Sequence, residues 1–504
     1  MLLPPKTVHQ KPDPSAPKTQ PKKPTLTPTV ATRTLKVFTR NRMATPPAPL
    51  PDNLPESPDA TLRALETHAI RSSVWSILEY GTGTGLRVVS SLVLTRLLLP
   101  AYFGEMTLVN TLIVGINLLS DIGLAPSVIQ SPRGDDPLFL NTAFSLQAIR
   151  GVALWIIALL LSWPMSLYYH DPKLKALLPV LGLCTLLSGF YSTNLLTLAR
   201  HMGVKRLFAV DGTTALVSLI VTIVWAWLSP SVWSIIGGQI AGTIYRLALS
   251  HITAVTPGPR NSFGWDKDAI QSIVHFGKWI LLGTAFFFFA MQADRLVLGR
   301  LIPLALLGIY GLAQQLSDIP RQIILALGQR VFYPFIAKII QQPLAEFRPQ
   351  FLRYRFYVLL LGAAVVSIMF TWGNLLILKL YDHRYAEGAW MVPILSLGLW
   401  DTLLYQTTHP VLMSLGKPKY SAVGNACYCF FIIIAINVAY AYYGMHGAVI
   451  AIAAGDLPLY AVIQFGATRE GIRPLRQDLL MTLIILAMIA ALYFLKHSLT
   501  NLHF

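Results

Sequence analysis

LVLTRLLLPAYFGEMTLVNTLIVGINLLSDIGLAPSVIQ, residues 92–130, holds the end of one apolar segment, a tight break from Pro100 to Gly104, and a second apolar segment. A helix needs about 20 residues to cross a bilayer's hydrocarbon core. The segments on either side of the break reach that length, so the stretch reads as a transmembrane hairpin. It also has an internal echo. Arg96, Leu97, Pro100 and Gly104 are followed, 204 positions later, by Arg300, Leu301 and Gly308, with Pro303 one place short of register. The second copy, RLIPLALLGIYGLAQQL at 300–316, again opens an apolar span. Two hairpins with matching punctuation, one in each half, indicate a duplicated membrane protein.

Composition agrees. Hydrophobic residues make up 54% of the 504 residues and charged residues 12%, about half the roughly 25% of a soluble chain. An ordinary globular enzyme is excluded. The net charge of +17 resembles a nucleic-acid signal, but Lys and Arg also gather in the cytoplasmic loops of membrane proteins, and no nucleic-acid partner is expected. Cys184, Cys427 and Cys429 fall inside apolar spans and act as small apolar side chains. They form no disulfide framework or zinc spacing.

Residues 1–68 stand apart. Fourteen of the 34 prolines lie between Pro4 and Pro58, among Lys, Thr and Ala. Such a segment cannot bury enough surface to offset its ordering entropy, so a disordered cytoplasmic tail is expected. It has no apolar h-region and is not a cleavable signal peptide. Met43 stands as an alternative start of translation. From there the apolar spans are 72–98, 105–130, 139–164, 176–198, 206–228, 231–254, 270–293, 303–337, 354–378, 388–414, 419–442, 445–467 and 478–496. Backbone inside a membrane must satisfy its own hydrogen bonds, so the spans are helices. The expectation is an all-α polytopic membrane protein of about thirteen transmembrane helices.

Loop charges give the orientation. Arg133, Arg200, Lys205, Arg206, Arg260, Lys267, Lys338, Arg348, Arg353, Lys417, Lys419, Arg469, Arg473 and Arg476 fall on one side, and Lys173, Lys175, Arg295, Arg300, Lys379 and Arg384 on the other. Fourteen against six places the N-terminus in the cytoplasm. Six helices then occupy residues 69–254, a cytoplasmic linker 255–269, and six more helices 270–468. An even number per half makes the repeat parallel. The last segment, 469–504, is an extra helix and tail, an appendage.

Gly81, Gly83 and Gly85 form G-T-G-T-G, but no strand precedes them and they lie within a membrane helix, so a nucleotide loop is excluded. Gly81 and Gly85 are one turn apart on one face, which permits close packing or a hinge. The sequence has no P-loop, no H-E-x-x-H and no long external loop, and no cofactor or metal is expected. Charges at membrane depth are costly and face a protein interior or a wet cavity. Near mid-span are Arg87, Arg150, Arg321, Asp401 and Asp456, and nearer span ends are Glu79, Asp121, Asp211, Arg246, Lys278 and Arg330. Asp318 and Arg321 are three apart on one helix, a spacing for a local ion pair. The planar fork of Arg suits phosphate oxygens. Arg87, Arg150, Arg321, Arg246 and Lys278 are therefore candidate substrate-binding cations for an anionic substrate. With no nucleotide motif, an ion gradient is the natural drive, and Asp121, Asp401 and Asp456 are candidate carriers.

L-P-A-Y-F-G-E-M-T-L-V at 99–109 and S-D-I-G-L-A-P-S-V-I-Q at 120–130 resemble the early helices of bacterial polysaccharide flippases. So do A-D-R-L-V-L-G-R-L at 293–301, L-G-I-Y-G-L-A at 307–313, Y-D-H-R-Y-A-E-G-A at 381–389 and L-G-K-P-K-Y at 415–420. These are the Wzx-type oligosaccharide-lipid flippases of the multidrug/oligosaccharidyl-lipid/polysaccharide exporter superfamily, and the resemblance covers about residues 72–468. It implies two six-helix lobes around a central cavity that opens alternately to each side of a bacterial inner membrane. The implied partner is an oligosaccharide repeat unit on a polyprenyl pyrophosphate, on which Arg87, Arg150 and Arg321 converge. Polysaccharide polymerase or export machinery is a further candidate partner. The Pro-rich extension departs from the family pattern, and thirteen spans depart from the usual twelve or fourteen. Two other readings stay open: a drug or small-molecule exporter of the same superfamily, and a membrane-embedded polymerase or glycosyltransferase, against which the short loops argue.

Overall fold

The computed structural model describes residues 81–121, 123–201, 203–327, 336, 340 and 342–501. The Pro-rich segment 1–68 with Met43, Glu79, Arg330 and the side chain of Lys278 lie outside the described residues. Among the described residues all regular structure is helical, with no strand. The first helical run, α1, covers 81–97. It is followed by α2 (Pro100–Leu118), α3 (Leu124–Gln130), α4 (Pro137–Tyr168), α5 (Leu174–Ser188), α6 (Asn194–Arg200), α7 (Val204–Leu228) and α8 (Val232–His251). The second half holds α9 (Lys267–Leu301), α10 (Leu304–Leu327), α11 (Leu344–Leu380), a 3₁₀ segment (His383–Trp390), α12 (Met391–Ser414), α13 (Lys419–Ala453), α14 (Leu457–Arg469) and α15 (Leu475–Asn501).

Among the described residues, five helical stretches are long and apolar enough to cross a membrane: Pro137–Tyr168, Val204–Leu228, Ala345–Leu380, Lys419–Arg469 and Leu475–Ser498. Only 11–39% of their most apolar windows is buried, so most of that apolar surface faces outward, as lipid-facing helices require. Trp163, Leu160, Phe430 and Phe494 are among the exposed side chains. Breaks in the spans are local. At 1.5 Å per residue, the 35 residues of α13 exceed a ~30 Å hydrocarbon core. Gly444, with φ of 58°, divides it and supplies a left-handed conformation that a side chain would disfavour.

The echo in the sequence has a spatial counterpart, since α2 and α10, which carry its two copies, pack closely on each other. A Cβ on Gly104 would lie 1.7 Å from the Leu304 carbonyl oxygen, and a Cβ on Gly308 would lie 2.1 Å from that of Pro100. Adding the 204-residue offset to Gly104 and Pro100 gives Gly308 and Leu304, so these are one contact seen from each repeat. One turn further along, a Cβ on Gly311 would meet Thr107 Oγ1 at 3.1 Å, and Thr107 plus the offset is Gly311 itself. A pseudo-two-fold axis therefore passes between Thr107 and Gly311. Both helices begin at the same end of the bundle, as a parallel repeat with its axis along the membrane normal requires.

Two connections are more firmly held than their sequences suggest. The linker before α9 is strapped to the first half: Ser262 N donates to Asn141 Oδ1 (3.0 Å), Gly264 N to Ser145 Oγ (3.0 Å) and Asp266 N to Thr142 Oγ1 (3.0 Å). Asp136 caps α4 and Asp266 caps α9, and the Arg133 guanidinium joins both carboxylates at 2.7 Å. The last helix is no loose appendage either. Arg355 of α11, fully buried, donates to Asp478 Oδ1 of α15 at 2.5 Å, to Thr407 Oγ1 at 2.9 Å and to the Leu404 carbonyl at 3.0 Å. Tyr460 donates to the other Asp478 oxygen at 2.9 Å. This network fastens α15 to α11, α12 and α14.

Candidate functional site

Among the described residues, one chamber in each half stands out, and a set of crossed contacts joins the halves at the end where α1 finishes. The first chamber, about 270 Å³, is bounded by α2, α4, α5 and α8. Two of its walls are broken helices. The chain leaves α2 at Leu119 and restarts as α3 after Gly123, and it leaves α5 at Gly189 and restarts as α6 at Asn194. Each break leaves helix-end carbonyls without intrahelical partners, and α4 supplies side chains to both. Arg150 Nε donates to the Ser120 carbonyl at 3.0 Å, and its Nη2 to the Asn117 carbonyl at 2.7 Å. Gln147, one turn earlier, donates to the carbonyls of Ser188 (3.1 Å), Gly189 (3.3 Å) and Tyr191 (3.1 Å). Gly151 and Gly189 let α4 and α5 touch: a Cβ on either would lie 2.9 Å from the other's Cα.

This chamber brings together three residues singled out from the sequence: Asp121, Arg150 and Arg246. Arg246 pairs with Asp211 at 2.8 Å and lies 5.4 Å from the Tyr191 ring centroid. Asp121 Oδ1 accepts from Gly123 N at 2.9 Å, closing the turn between α2 and α3.

The second chamber, about 90 Å³, is lined by Asp294, Arg295, Gln314, Asp318, Arg321, Tyr428 and Asp456 among others. Arg321 Nη2 reaches Asp456 Oδ2 at 3.4 Å, and its Nη1 lies 3.9 Å from Asp318, so the pair three residues apart is joined by a stronger partner across the fold. Thr402 donates a short hydrogen bond to Asp456. Asp401 precedes Thr402 on α12 and lines neither chamber. Arg87 is exposed on α1 and also lines neither. Arg150 and Arg321 thus stand in separate chambers, Arg87 stands in none, and the three do not meet in this conformation. A Cβ on Gly81 or Gly85 would meet nothing within 4 Å, so the close helix contact expected there is not made in this state.

The crossed contacts use loops of each half on helix ends of the other. Arg384 Nη2 donates to the carbonyls of Thr95 (3.2 Å) and Arg96 (2.9 Å), and Tyr385 OH donates to that of Leu98 (3.0 Å), capping the end of α1. The hydroxyls of Tyr381 and Ser91 lie 2.9 Å apart. In the other direction Tyr169 OH donates to the Leu296 carbonyl of α9 (3.4 Å), and Arg300 lies 4.5 Å from the Tyr168 ring centroid. L-Y-Y-H at 167–170 and L-Y-D-H at 380–383 are the corresponding loops. The Arg384 side chain and amide hold the Asp382 carboxyl down at about 2, below its usual 3.8. A carboxyl depressed in the folded state stabilises above its unfolded pKa and loses that effect as pH falls through the folded value. The Asp382–Arg384 pair therefore contributes fully above about pH 4 and loses its effect as pH falls towards 2.

Arg384→Ala removes two carbonyl contacts from a charged donor. At about 1–2 kcal/mol this amounts to a roughly 5–30-fold change in an equilibrium constant. The expected result is faster labelling of a cysteine at Leu98 by a membrane-impermeant maleimide, with Tyr385→Phe giving a smaller increase. Unchanged labelling in both variants would show that these contacts do not hold the halves together.

Gln147, Tyr191 and the Arg384–Tyr385 pair were not reached by sequence reasoning, because a search for charges in mid-span passes over amides, aromatic residues and loop cations. The signal available was G-F-Y-S-T at 189–193, small and polar residues interrupting an apolar span.

Residues 93–389 match the family described as "Polysaccharide biosynthesis protein". The chain is 23% identical over 383 residues to the lipopolysaccharide biosynthesis protein WzxC of Escherichia coli strain K12, covering 74% of this chain and 76% of that one. It is 22% identical to the amylovoran biosynthesis protein AmsL of Erwinia amylovora, over 51% of this chain and 66% of that one. It is 23% identical to the succinoglycan biosynthesis transport protein ExoT of Rhizobium meliloti, over 54% of each. Among solved structures it is similar to the lipid II flippase MurJ in an inward closed conformation, with TM-score 0.58, 14% identity and coverage of 86% of this chain and 98% of that one. It is also similar to an inward-facing multidrug resistance MATE family transporter of the MOP superfamily, with TM-score 0.58, 13% identity and coverage of 78% and 96%. These likenesses are of fold.

Proposed function

Because the chain belongs to the polysaccharide biosynthesis protein family, we propose that it is a flippase for a polyprenyl-pyrophosphate-linked oligosaccharide repeat unit, acting by alternating access. The observation that carries this reading is the reciprocal contact of Gly104 with Leu304 and Gly308 with Pro100. It joins two equivalent halves at a glycine crossing about one axis, a joint at which they can rock. The excess of basic residues in one set of loops supports a cytoplasmic N-terminus. In that orientation α1 ends at the periplasmic face, and the Arg384–Tyr385 contacts close the periplasmic end in an inward-facing state.

The lipid diphosphate needs cations: Arg87, exposed on α1, is the first candidate, and Arg321, which would exchange its partners Asp456 and Asp318 for the phosphates, the second. Lys278 is carried forward as a further candidate. Asp456, held by Arg321 and Thr402, is the best-placed candidate for coupling to an ion gradient, with Asp121 and Asp401 behind it. The polymerase and export machinery of the same pathway are the partners to which flipped units would pass.

Deletion of the gene tests the reading. Lipid-linked oligosaccharide is expected to accumulate on the cytoplasmic face, and Asp456→Asn is expected to restore the protein but not export. A deletion strain with normal export and no accumulated intermediate would refute the assignment.

A further inference from the structure

We infer that the first chamber is a saccharide subsite, which takes one sugar ring of the repeat unit and does not take the pyrophosphate. The inference rests on the flippase reading for its substrate but on its own observations for the place. The first observation is charge. Both arginines in the chamber already have partners: Arg150 spends Nε and Nη2 on the carbonyls that end α2, where the helix dipole also favours a cation, and Arg246 is paired through Nη2 with Asp211, its buried Nε remaining as a donor. A diphosphate entering here would have to displace those partners and would meet the Asp121 carboxylate on the same wall.

The second observation is size. The first chamber offers about 270 Å³ of space. That suits a single sugar ring with its hydroxyls and falls below the ~300–1,000 Å³ of drug-sized pockets. The second chamber is a third of that size, about 90 Å³.

The third observation is the lining. A pyranose presents C–H faces and a rim of hydroxyls, each both donor and acceptor. The chamber offers an aromatic ring, Tyr191, backed by the Arg246 guanidinium. It also offers a carboxylate with only Oδ1 used in the turn, Asp121, and the polar side chains of Asn117, Thr185 and Ser188. The broken helices hold these groups at fixed positions, because Gln147 and Arg150 tie each break to α4. Specificity for the repeat unit therefore lies in the first half, while the lipid diphosphate is met elsewhere.

The test separates the two parts of the substrate. Purified full-length protein in nanodiscs is titrated calorimetrically with two probes: the phosphate-free repeat-unit saccharide from the strain's own polysaccharide, and sugar-free geranylgeranyl pyrophosphate. Asp121→Asn keeps an acceptor for Gly123 N, and Tyr191→Leu keeps apolar bulk. Each is expected to weaken saccharide binding at least tenfold, with pyrophosphate binding and melting temperature unchanged. Saccharide binding unaffected in both variants, or absent from the parent, would overturn the subsite. So would a parallel loss of pyrophosphate binding at unchanged melting temperature. The deletion strain is the separate check on the parent reading: without accumulated lipid-linked oligosaccharide the flippase assignment fails, whatever the titrations give.

Discussion

Gly104→Leu is expected to abolish polysaccharide export in a protein that still reaches the membrane. A Cβ alone would lie 1.7 Å from the Leu304 carbonyl oxygen. That atom is backbone, so no rotamer change relieves the clash, and α2 and α10 must separate. Overpacking in an ordinary core costs about 1–3 kcal/mol. Here the strain falls on the crossing between the halves, where it also changes which conformations are accessible. Gly308→Leu meets the Pro100 carbonyl in the symmetry-related contact and should give the same loss. Gly212→Leu is the control, since a Cβ there meets nothing within 4 Å, and it should export normally. Export and membrane protein level, measured together, check the claim. Normal export by Gly104→Leu would show that the crossing is not needed in the transport cycle.

Arg355→Met is expected to act on stability instead. Arg355 is fully buried, and the Asp478 it faces is nearly so. Removing one partner of a buried pair leaves an uncompensated charge and costs about 3–5 kcal/mol. The single variant should therefore fall sharply in membrane level and melt at lower temperature in detergent. Arg355→Met combined with Asp478→Leu removes both charges, which is often neutral for such pairs, and should recover much of the loss. The measurement is thermal aggregation of a fluorescent fusion. A single variant as stable as the parent would mean that α15 is held by its apolar contacts alone.

Much of the architecture was legible in residues 92–130 and their echo at 300–316. A hydrophobic span must be helical in lipid, and the spacing of Arg, Pro and Gly marked the hairpins. The offset of 204 even locates the axis, because Gly104, Thr107 and their partners Gly308 and Gly311 meet across it. Three features were not legible. Helix breaks at Leu119–Gly123 and Gly189–Thr193 lie inside apolar runs and depend on Arg150 and Gln147 arriving from another helix. The anchoring of α15 depends on Arg355 meeting Asp478, which is 123 positions away. The partners of the mid-span charges are tertiary as well: Arg150 finds carbonyls, and Arg321 finds Asp456 on a distant helix. A charge count along a span cannot separate an exposed cation from one that caps a helix end or one that pairs with a distant acid, and this is why Arg87, Arg150 and Arg321 looked alike in sequence.

The central claim is that the chain moves a lipid-linked oligosaccharide between leaflets by rocking at the Gly104–Gly308 crossing. Its most direct measurement is flipping in proteoliposomes. Purified protein is reconstituted with a fluorescent polyprenyl-pyrophosphate oligosaccharide, and the fraction exposed to an external quencher is followed in time. Cysteines at Ser91 and Tyr381, whose hydroxyls lie 2.9 Å apart across the halves, joined by a bifunctional crosslinker, should stop translocation, and cleavage of the crosslinker should restore it. Translocation at the parent rate with the crosslink in place, or none by the unmodified parent, would contradict the account.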